Sequence, residues 1–429
     1  MHPLPISNLS PAAAAPRPVA AHFFQPLLER LPHCPAARAC PALSDEDWLR
    51  LLLGRVLHEA PSGRGFLQQY GPHFPACPAV PAFFESLKSG RRLELARQLN
   101  TQLQPLLARH HPDRLGAEPA LRDFDIYAGD GHWHGAAAHD PRVEERKYAT
   151  GHFFGLNLRT HGLVHLTGAD QEERRKEHDM RALKRLPVET LRQGAPVGRK
   201  VLWVWDKAGI DFRQWFRWKQ SAGIYFLSCA KENMKLEVVG TRPFDRADAV
   251  NAGVVADELV ATSCGVTLRR VTYVDPASGE RFEFLTNEMT LAPGWIAYLY
   301  RRRWDVEKIF DQFKNKLGEK KAWASRATAK AIQAQMLCLA HNLIQLLEDR
   351  VLTPAGVTNR AEDQRRHKRL EQQQARAGAR GERLPRLVET LLRATQWSVK
   401  LVRWLRYHLF LPTCWETALR ALRALYAKL

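Results

Sequence analysis

The sequence predicts an α/β protein: a mixed β-sheet flanked by helices, with a β-rich insertion and accessory helical regions. Two observations lead there. Five strand-like runs, DFDIYAGD (123–130), GHFFGLNLR (151–159), GLVHLTGA (162–169), KVLWVWD (200–206) and GIYFLS (223–228), are interrupted by helix-like segments, as in a sheet covered on its faces. Between them and two later helical patterns lies a stretch, 232–290, whose residues alternate in polarity or run β-branched.

In chain order, residues 1–20 are rich in Pro and Ala and are expected to be loosely ordered. Residues 21–108 read as largely helical through FFQPLLERL, DEDWLRLLLGRVLHE (45–59) and LELARQLNTQLQPLLARHH, with Pro and Gly clusters at 61–80 between them. An N-terminal helical accessory or DNA-binding unit is therefore expected over 21–115. The main α/β unit is expected over 120–350. KVLWVWD is a nearly continuous apolar run, which suits a strand buried on both faces. The charged stretch 171–186 reads as helical in its second half, and FRQWFRWKQS as a helix. Within 232–290, LEVVG, CGVTLRRVTYVD and ERFEFLTN are strand candidates, with DPASGE as a turn. One long helix is expected from Trp295 to Leu317, started by Pro293, and an apolar one over 327–350. Residues 351–429 form a basic helical C-terminal region.

Composition restricts the function. Lys and Arg number 64 against 45 Asp and Glu, a formal charge of +19, which favours a polyanionic partner. The seven cysteines are odd in number and form no C-x2-C pair, against a zinc ribbon or a disulfide framework. No uncharged apolar stretch approaches the length of about 18 residues needed to span a bilayer. The opening residues lack a basic segment followed by an apolar core, so no signal peptide is expected. A cytoplasmic, nucleoid-associated location without a membrane partner is the corresponding expectation.

The segment YLYRRRWDVEKIFDQFKNKLGE carries the clearest chemistry. At about 100° per residue from Glu307, Tyr300, Arg303 and Lys314 lie near +20°, −40° and −20°, one narrow polar face. Leu299, Val306, Phe310, Phe313 and Leu317 cluster beside it, so the carboxylate stands at the edge of the buried stripe. Geometry alone equally allows a helix laced with pairs such as Arg303–Glu307. The spacing Y-x2-R-x3-E-x6-K, with Trp304 after the arginine and FLTNEMTLAPGW before it, resembles the signature of the insertion-sequence transposases usually called the IS4-like family. The resemblance covers mainly residues 120–350. It implies an RNase H-like five-stranded sheet with a β-rich insertion before the glutamate helix, and a DDE triad binding divalent metal.

Asp130 closes the first strand candidate and precedes Gly131; Asp206 closes VLWVW. The resemblance makes them the first and second acids of the triad, with Glu307 the third, as both catalytic and metal-binding residues. Mg2+ is the implied cofactor, Mn2+ an alternative, with two ions per site. Around Asp206 the chain departs from the family's D-R-G: it reads DKAG, with Lys207 for the arginine and Ala208 inserted. Other readings stand beside these: Asp130 as a turn residue with Asp123 or Asp125 in its place, and Asp206 as a helix cap with Asp211 as its competitor. His132, His134 and His139 admit a zinc site or ordinary loop positions. His178 lies between strand candidates and is a further neighbour of the site.

The implied function is metal-dependent DNA cleavage and strand transfer at insertion-sequence ends. Its partners are double-stranded DNA with terminal inverted repeats and target DNA, handled by a homodimer. Tyr300, Arg303, Trp304 and Lys314 are the expected DNA contacts near the metals. Arg365, Arg366, Lys368, Arg369, Arg376 and Arg380 fall within 16 residues and are expected phosphate contacts, the alternative being a charged solvated helix face. A repurposed, inactive DNA-binding protein and a metal-dependent nuclease of the same fold are the competing functional readings.

Overall fold

A computed structural model describes residues 18–427 apart from 41, 59, 61, 75, 143–144, 171–176, 277 and 382–398. The expectation for residues 1–17, and the first part of the charged stretch 171–186, lie outside the described residues.

The strands are β1 (Phe124–His134), β2 (Thr150–Asn157), β3 (Leu163–Gly168), β4 (Lys200–Val204), β5 (Ile224–Cys229), β6 (Leu236–Thr241), β7 (Val254–Thr262), β8 (Thr267–Val274) and β9 (Arg281–Thr286). They form one nine-stranded sheet in the order β3-β2-β1-β4-β5-β9-β8-β7-β6. β1, β4 and β5 run parallel, while β2 and β3 pair antiparallel on the other side of β1. These five strands give the RNase H-like α/β arrangement expected from the sequence. The β-rich stretch extends the same sheet rather than standing apart, because β9 pairs antiparallel with the end of β5, Leu227 opposite Thr286.

Helices cover both faces. Before β1 come α1 (Val19–Leu28), α2 (Asp45–Leu57), α3 (Gly63–Tyr70), α4 (Val80–Ser86) and α5 (Gly90–His110). Between β3 and β5 come α6 (Asp179–Lys184), α7 (Val188–Arg192) and α8 (Phe212–Ala222), and after β9 come α9 (Pro293–Arg302), α10 (Trp304–Lys316) and α11 (Ala327–Leu347). The described chain ends with α12 (Arg360–Ala379), α13 (Val399–His408) and α14 (Trp415–Ala427).

Alternation along the central strands divides the core. Ile126, Ala128, Leu202 and Val204 join the apolar cluster of α1, α2, α5, α9, α10 and α11. Tyr127, Val201, Trp203 and Trp205 join the opposite cluster with α6, α7 and α8. α11 is buried along almost its whole length. Its polar residues are matched rather than exposed: the Asn342 amide donates to the Leu163 carbonyl at 3.0 Å and accepts from the Leu163 amide at 2.9 Å. Asn100 of α5 donates to Gln335 Oε1 at 2.6 Å. The N-terminal helices thus share a continuous core with the sheet through α11.

Two local expectations are corrected. β1 does not stop at Asp130 but continues to His134, because Gly131, His132, Trp133 and His134 pair with Phe153, His152, Gly151 and Thr150. The helix expected over Trp295–Leu317 is two helices, α9 and α10, meeting at Arg303, whose amide donates to the Tyr300 carbonyl at 3.0 Å in place of a full-turn bond.

Candidate active site

Asp130 sits within β1 on the face turned toward α10, two residues beyond Ala128 of the large core. It is therefore a strand residue, not a turn residue. Its Oδ1 accepts from the Gly131 amide at 2.7 Å, and its Oδ2 lies 3.3 Å from Arg303 Nη1. Asp206 follows the end of β4, where the sheet gives way to a loop. Its Oδ1 accepts from the Ala208 amide at 2.7 Å, while its carbonyl accepts from Ser228 Oγ at 2.7 Å and the Gly209 amide at 3.1 Å. The inserted Ala208 thus closes a side-chain-capped turn that holds the carboxylate. Asp206 is not the cap of α8; that role belongs to Asp211, which accepts from the Gln214 amide and pairs with Lys184. Asp125 pairs with Arg199.

Trp205 packs closely against glycines near both aspartates. A Cβ at Gly129, the neighbour of Asp130, would stand 2.3 Å from Trp205 Cζ2, and one at Gly209 would stand 2.4 Å from Trp205 Cβ. The buried indole occupies the volume that side chains would need at both positions. Gly129→Ala is expected to destabilise the protein by about 1–3 kcal/mol through overpacking. An unchanged denaturant midpoint would show that the indole has room to move.

Glu307 lies on α10 with its carboxylate 2.7 Å from Arg303 Nη2, so the Arg303 guanidinium links it to Asp130. Arg303 occupies the junction of α9 and α10, and this break lets its side chain reach β1 and α10 together. Tyr300 packs on Phe284 at 4.8 Å between ring centroids. Burial pushes its hydroxyl pKa up, with the Cys229 thiol and Asp206 adding to the effect against Arg303. Trp304 is 55% exposed, so it is a surface aromatic and not a core residue beside Phe310. Lys314 is exposed two turns further along α10, while Phe310 and Phe313 are buried.

One acid was not legible as a member of this group. Asp179, the first residue of α6, is buried, and the carboxylates of Asp130, Asp179 and Asp206 each place an oxygen within 4.8 Å of the others. His178 does not enter the group; it caps α6, accepting from the Met180 amide at 3.3 Å. The signal for Asp179 was its place in the first turn of a helix beside the sheet, obscured by the dense charges around it.

Charge accumulates here. Burial pushes the Asp130 carboxyl up to about 6; Arg303 and the Gly131 amide oppose the rise, and Asp206 and Glu307 add to it. An all-oxygen, acidic donor set of this kind suits a hard divalent cation such as Mg2+ or Mn2+. The fit follows from the donors: closely spaced carboxylates repel until a cation neutralises them.

Residues 133–343 match the family model described as Transposase DDE domain. The matched region contains Asp179, Asp206, Arg303 and Glu307, and begins three residues after Asp130. Over 164 residues the chain is also 27% identical to a protein of Sinorhizobium fredii (strain NBRC 101917 / NGR234) described as "Putative transposase y4zB". That alignment covers 35% of this chain and 46% of the relative, so it spans about half the length of the relative.

The expected phosphate contacts outside the sheet lie on α12. On this observed helix, Arg365, Arg369, Arg376 and Arg380 fall within about 60° of one another, and Arg366 and Lys368 flank them. The row runs for about 22 Å. All but Arg366 are exposed. Among the described residues no helix is long and apolar enough to cross a membrane.

Proposed function

We propose that this chain is an IS4-like DDE transposase that cleaves and joins DNA at insertion-sequence ends, with Asp130, Asp206 and Glu307 as its metal-binding catalytic acids. The observation that carries the reading is the meeting of Asp130, within β1, and Asp206, just past the end of the parallel strand β4, with Asp179, and the tie from Asp130 through Arg303 to Glu307. Strands in one sheet deliver the aspartates; a helix packed over β1 delivers the glutamate. Divalent ions bound there would supply activation of the attacking oxygen and stabilisation of the leaving oxygen. Asp179 is an additional ligand or a support for one.

The rest of the site binds and orients. Arg303, charged beside two carboxylates, holds α10 against β1 and presents its remaining donors toward a scissile phosphate. Lys314 lies on the same helix as a second phosphate contact. Tyr300 and exposed Trp304 flank Arg303 and meet the strand near the cleavage point, Trp304 by stacking on a base. In the first step water attacks phosphorus, the 3′ oxygen leaves, and a free 3′ hydroxyl results. In the second, that hydroxyl attacks a phosphodiester of target DNA and a new 3′ oxygen leaves. Two ends handled together call for a homodimer on DNA.

The test is an oligonucleotide duplex carrying the DNA sequences that flank the gene, incubated with the protein and Mg2+ or Mn2+. Cleavage yielding a 3′ hydroxyl, followed by joining to a second duplex, is expected. Cleavage without joining would make the protein a nuclease of this fold; no metal-dependent cleavage would leave a DNA-binding role and overturn the enzymatic reading.

The α12 row has its own consequence. Replacing Arg365, Arg366, Lys368, Arg369, Arg376 and Arg380 with Gln is expected to weaken binding to unrelated duplexes alike and to lower the slope of log affinity against log salt by about 2–5, each lost phosphate contact removing about 0.9. Unchanged affinity and slope would return α12 to a merely solvated face.

A further inference from the structure

β1 carries a second cluster beyond Asp130. Because the strand continues, His132 and His134 point to the same face as Asp130 and are buried, 2% and 6% exposed. Opposite them stands Glu319, three residues past the end of α10. Gly318, at φ +66°, turns the chain there, and the Glu319 amide donates to the Phe313 carbonyl at 3.1 Å. This brings a carboxylate that is 1% exposed onto two imidazoles. His132 Nε2 lies 2.6 Å from Glu319 Oε2, and His134 Nδ1 lies 3.2 Å from Oε1.

The protein groups alone leave this cluster incompletely matched. The His134–Glu319 approach lacks hydrogen-bond geometry, and neither His134 nitrogen nor Glu319 Oε1 has a hydrogen-bond partner among the described residues. His152, also buried, stacks on His134 at 5.6 Å, and its Nε2 is likewise unpartnered. Buried polar atoms without partners are costly, and His134 Nδ1 and Glu319 Oε1 meet at 3.2 Å without a hydrogen bond between them, an arrangement that a shared cation would satisfy. All three ligand atoms lie within 4.8 Å of one another. Imidazole and carboxylate donors at about 2.0–2.2 Å suit Zn2+ in tetrahedral coordination, whereas Mg2+ favours oxygen donors and retained water.

We propose that His132, His134 and Glu319 form a buried structural zinc site, separate from the acidic cluster of Asp130, Asp179 and Asp206. Two nitrogens and one oxygen supply three positions, with the His152 ring stacked against His134 beside them. The ion joins β1, two residues beyond Asp130, to the chain just past α10, the helix of Glu307. It is a positioning element: it reinforces a latch already made by the pairing of Gly135 with the 320–322 segment, where the Ala322 amide donates to the Gly135 carbonyl at 2.7 Å. The site is closed to solvent, so the metal is acquired as the chain folds and is retained afterward.

The experiment uses tag-free full-length protein produced in Zn2+-supplemented medium, so that the metal is present as the chain folds, and then desalted. Elemental analysis is expected to find about one equivalent of zinc per chain in the wild type and in Asp206→Asn, falling at least about tenfold in Glu319→Gln and in the double variant His132→Asn/His134→Asn. X-ray absorption of the zinc-loaded wild type, which needs no variant to fold, is expected to show imidazole scattering around a four-coordinate ion. No retained zinc, or an all-oxygen shell that vanishes in Asp206→Asn, would overturn the site and leave His132–Glu319 as a metal-free hydrogen-bonded pair. Neither result bears on Mg2+-dependent DNA cleavage, which is tested separately.

Discussion

Purified Glu307→Gln protein is expected to lose DNA strand cleavage by at least about 10³-fold, equivalent to roughly 4 kcal/mol of barrier, while its fold and DNA affinity stay close to wild type. The substitution keeps the shape of the side chain and removes one negative charge from the group that would hold divalent metal. Little stability depends on it, since the Glu307 side chain is 30% exposed and its ion pair with Arg303 is an i,i+4 pair, worth a few tenths of a kcal/mol on a helix surface. Arg303 also keeps Asp130 as a partner. Asp206→Asn is expected to behave alike, because the turn that positions it uses an oxygen that Asn retains. Cleavage rates, circular dichroism and DNA affinity measured on the same preparations decide the matter. Near-normal cleavage by E307Q protein would return Glu307 to the structural ion pair that helix geometry alone allows.

Much of this site could be read from local pattern. The 3.6-residue period put Tyr300, Arg303, Glu307 and Lys314 on one face, and their nearness to the apolar stripe placed that face at the border of the core. The apolar run VLWVW marked β4, and its end marked Asp206. These signals are local: each depends on which residues within one element must be buried.

What was not legible depends on pairing between distant segments. H-W-H resembles a polar loop until β2 is present to pair with it; then His132 and His134 become inward residues of a strand. Glu319 lies 187 residues from His132, and nothing near it in sequence announces that partner. The junction at Arg303 is similar. Its sequence is helical throughout, and its backbone stays in the right-handed helical region, yet the hydrogen-bond pattern shifts where Arg303 reaches both Asp130 and Glu307. The merging of β6–β9 with the central sheet depends on the β5–β9 pairing, which alternation within each strand cannot specify.

Asp130→Asn is expected to stabilise the metal-free protein at neutral pH while abolishing cleavage. The sign follows from proton binding. The Asp130 carboxyl has an ordinary value of 3.8 and is pushed up to about 6 in the fold, burial leading and the neighbouring carboxylates contributing. Between these values the unfolded chain has released the proton and the folded chain still holds it. Stability therefore falls as pH rises through this window and levels off above it. The full displacement corresponds to about 3 kcal/mol, and water reaching the partly exposed site reduces it, so a gain of about 1–3 kcal/mol is expected for D130N in EDTA at pH 7. At pH 4 the two proteins should differ little, since the wild-type carboxyl is then protonated in the fold. Mg2+ should narrow the neutral-pH gap by stabilising the wild type more than the variant, because the ion binds the folded carboxylate. Urea melts at pH 4 and pH 7, with EDTA and with Mg2+, measure all three terms. A gap between wild type and D130N that is the same at both pH values would mean that Asp130 carries no stored electrostatic cost. A site that gathers carboxylates for metal binding must carry such a cost when empty, and the same charge that weakens the metal-free fold is what draws the cation in.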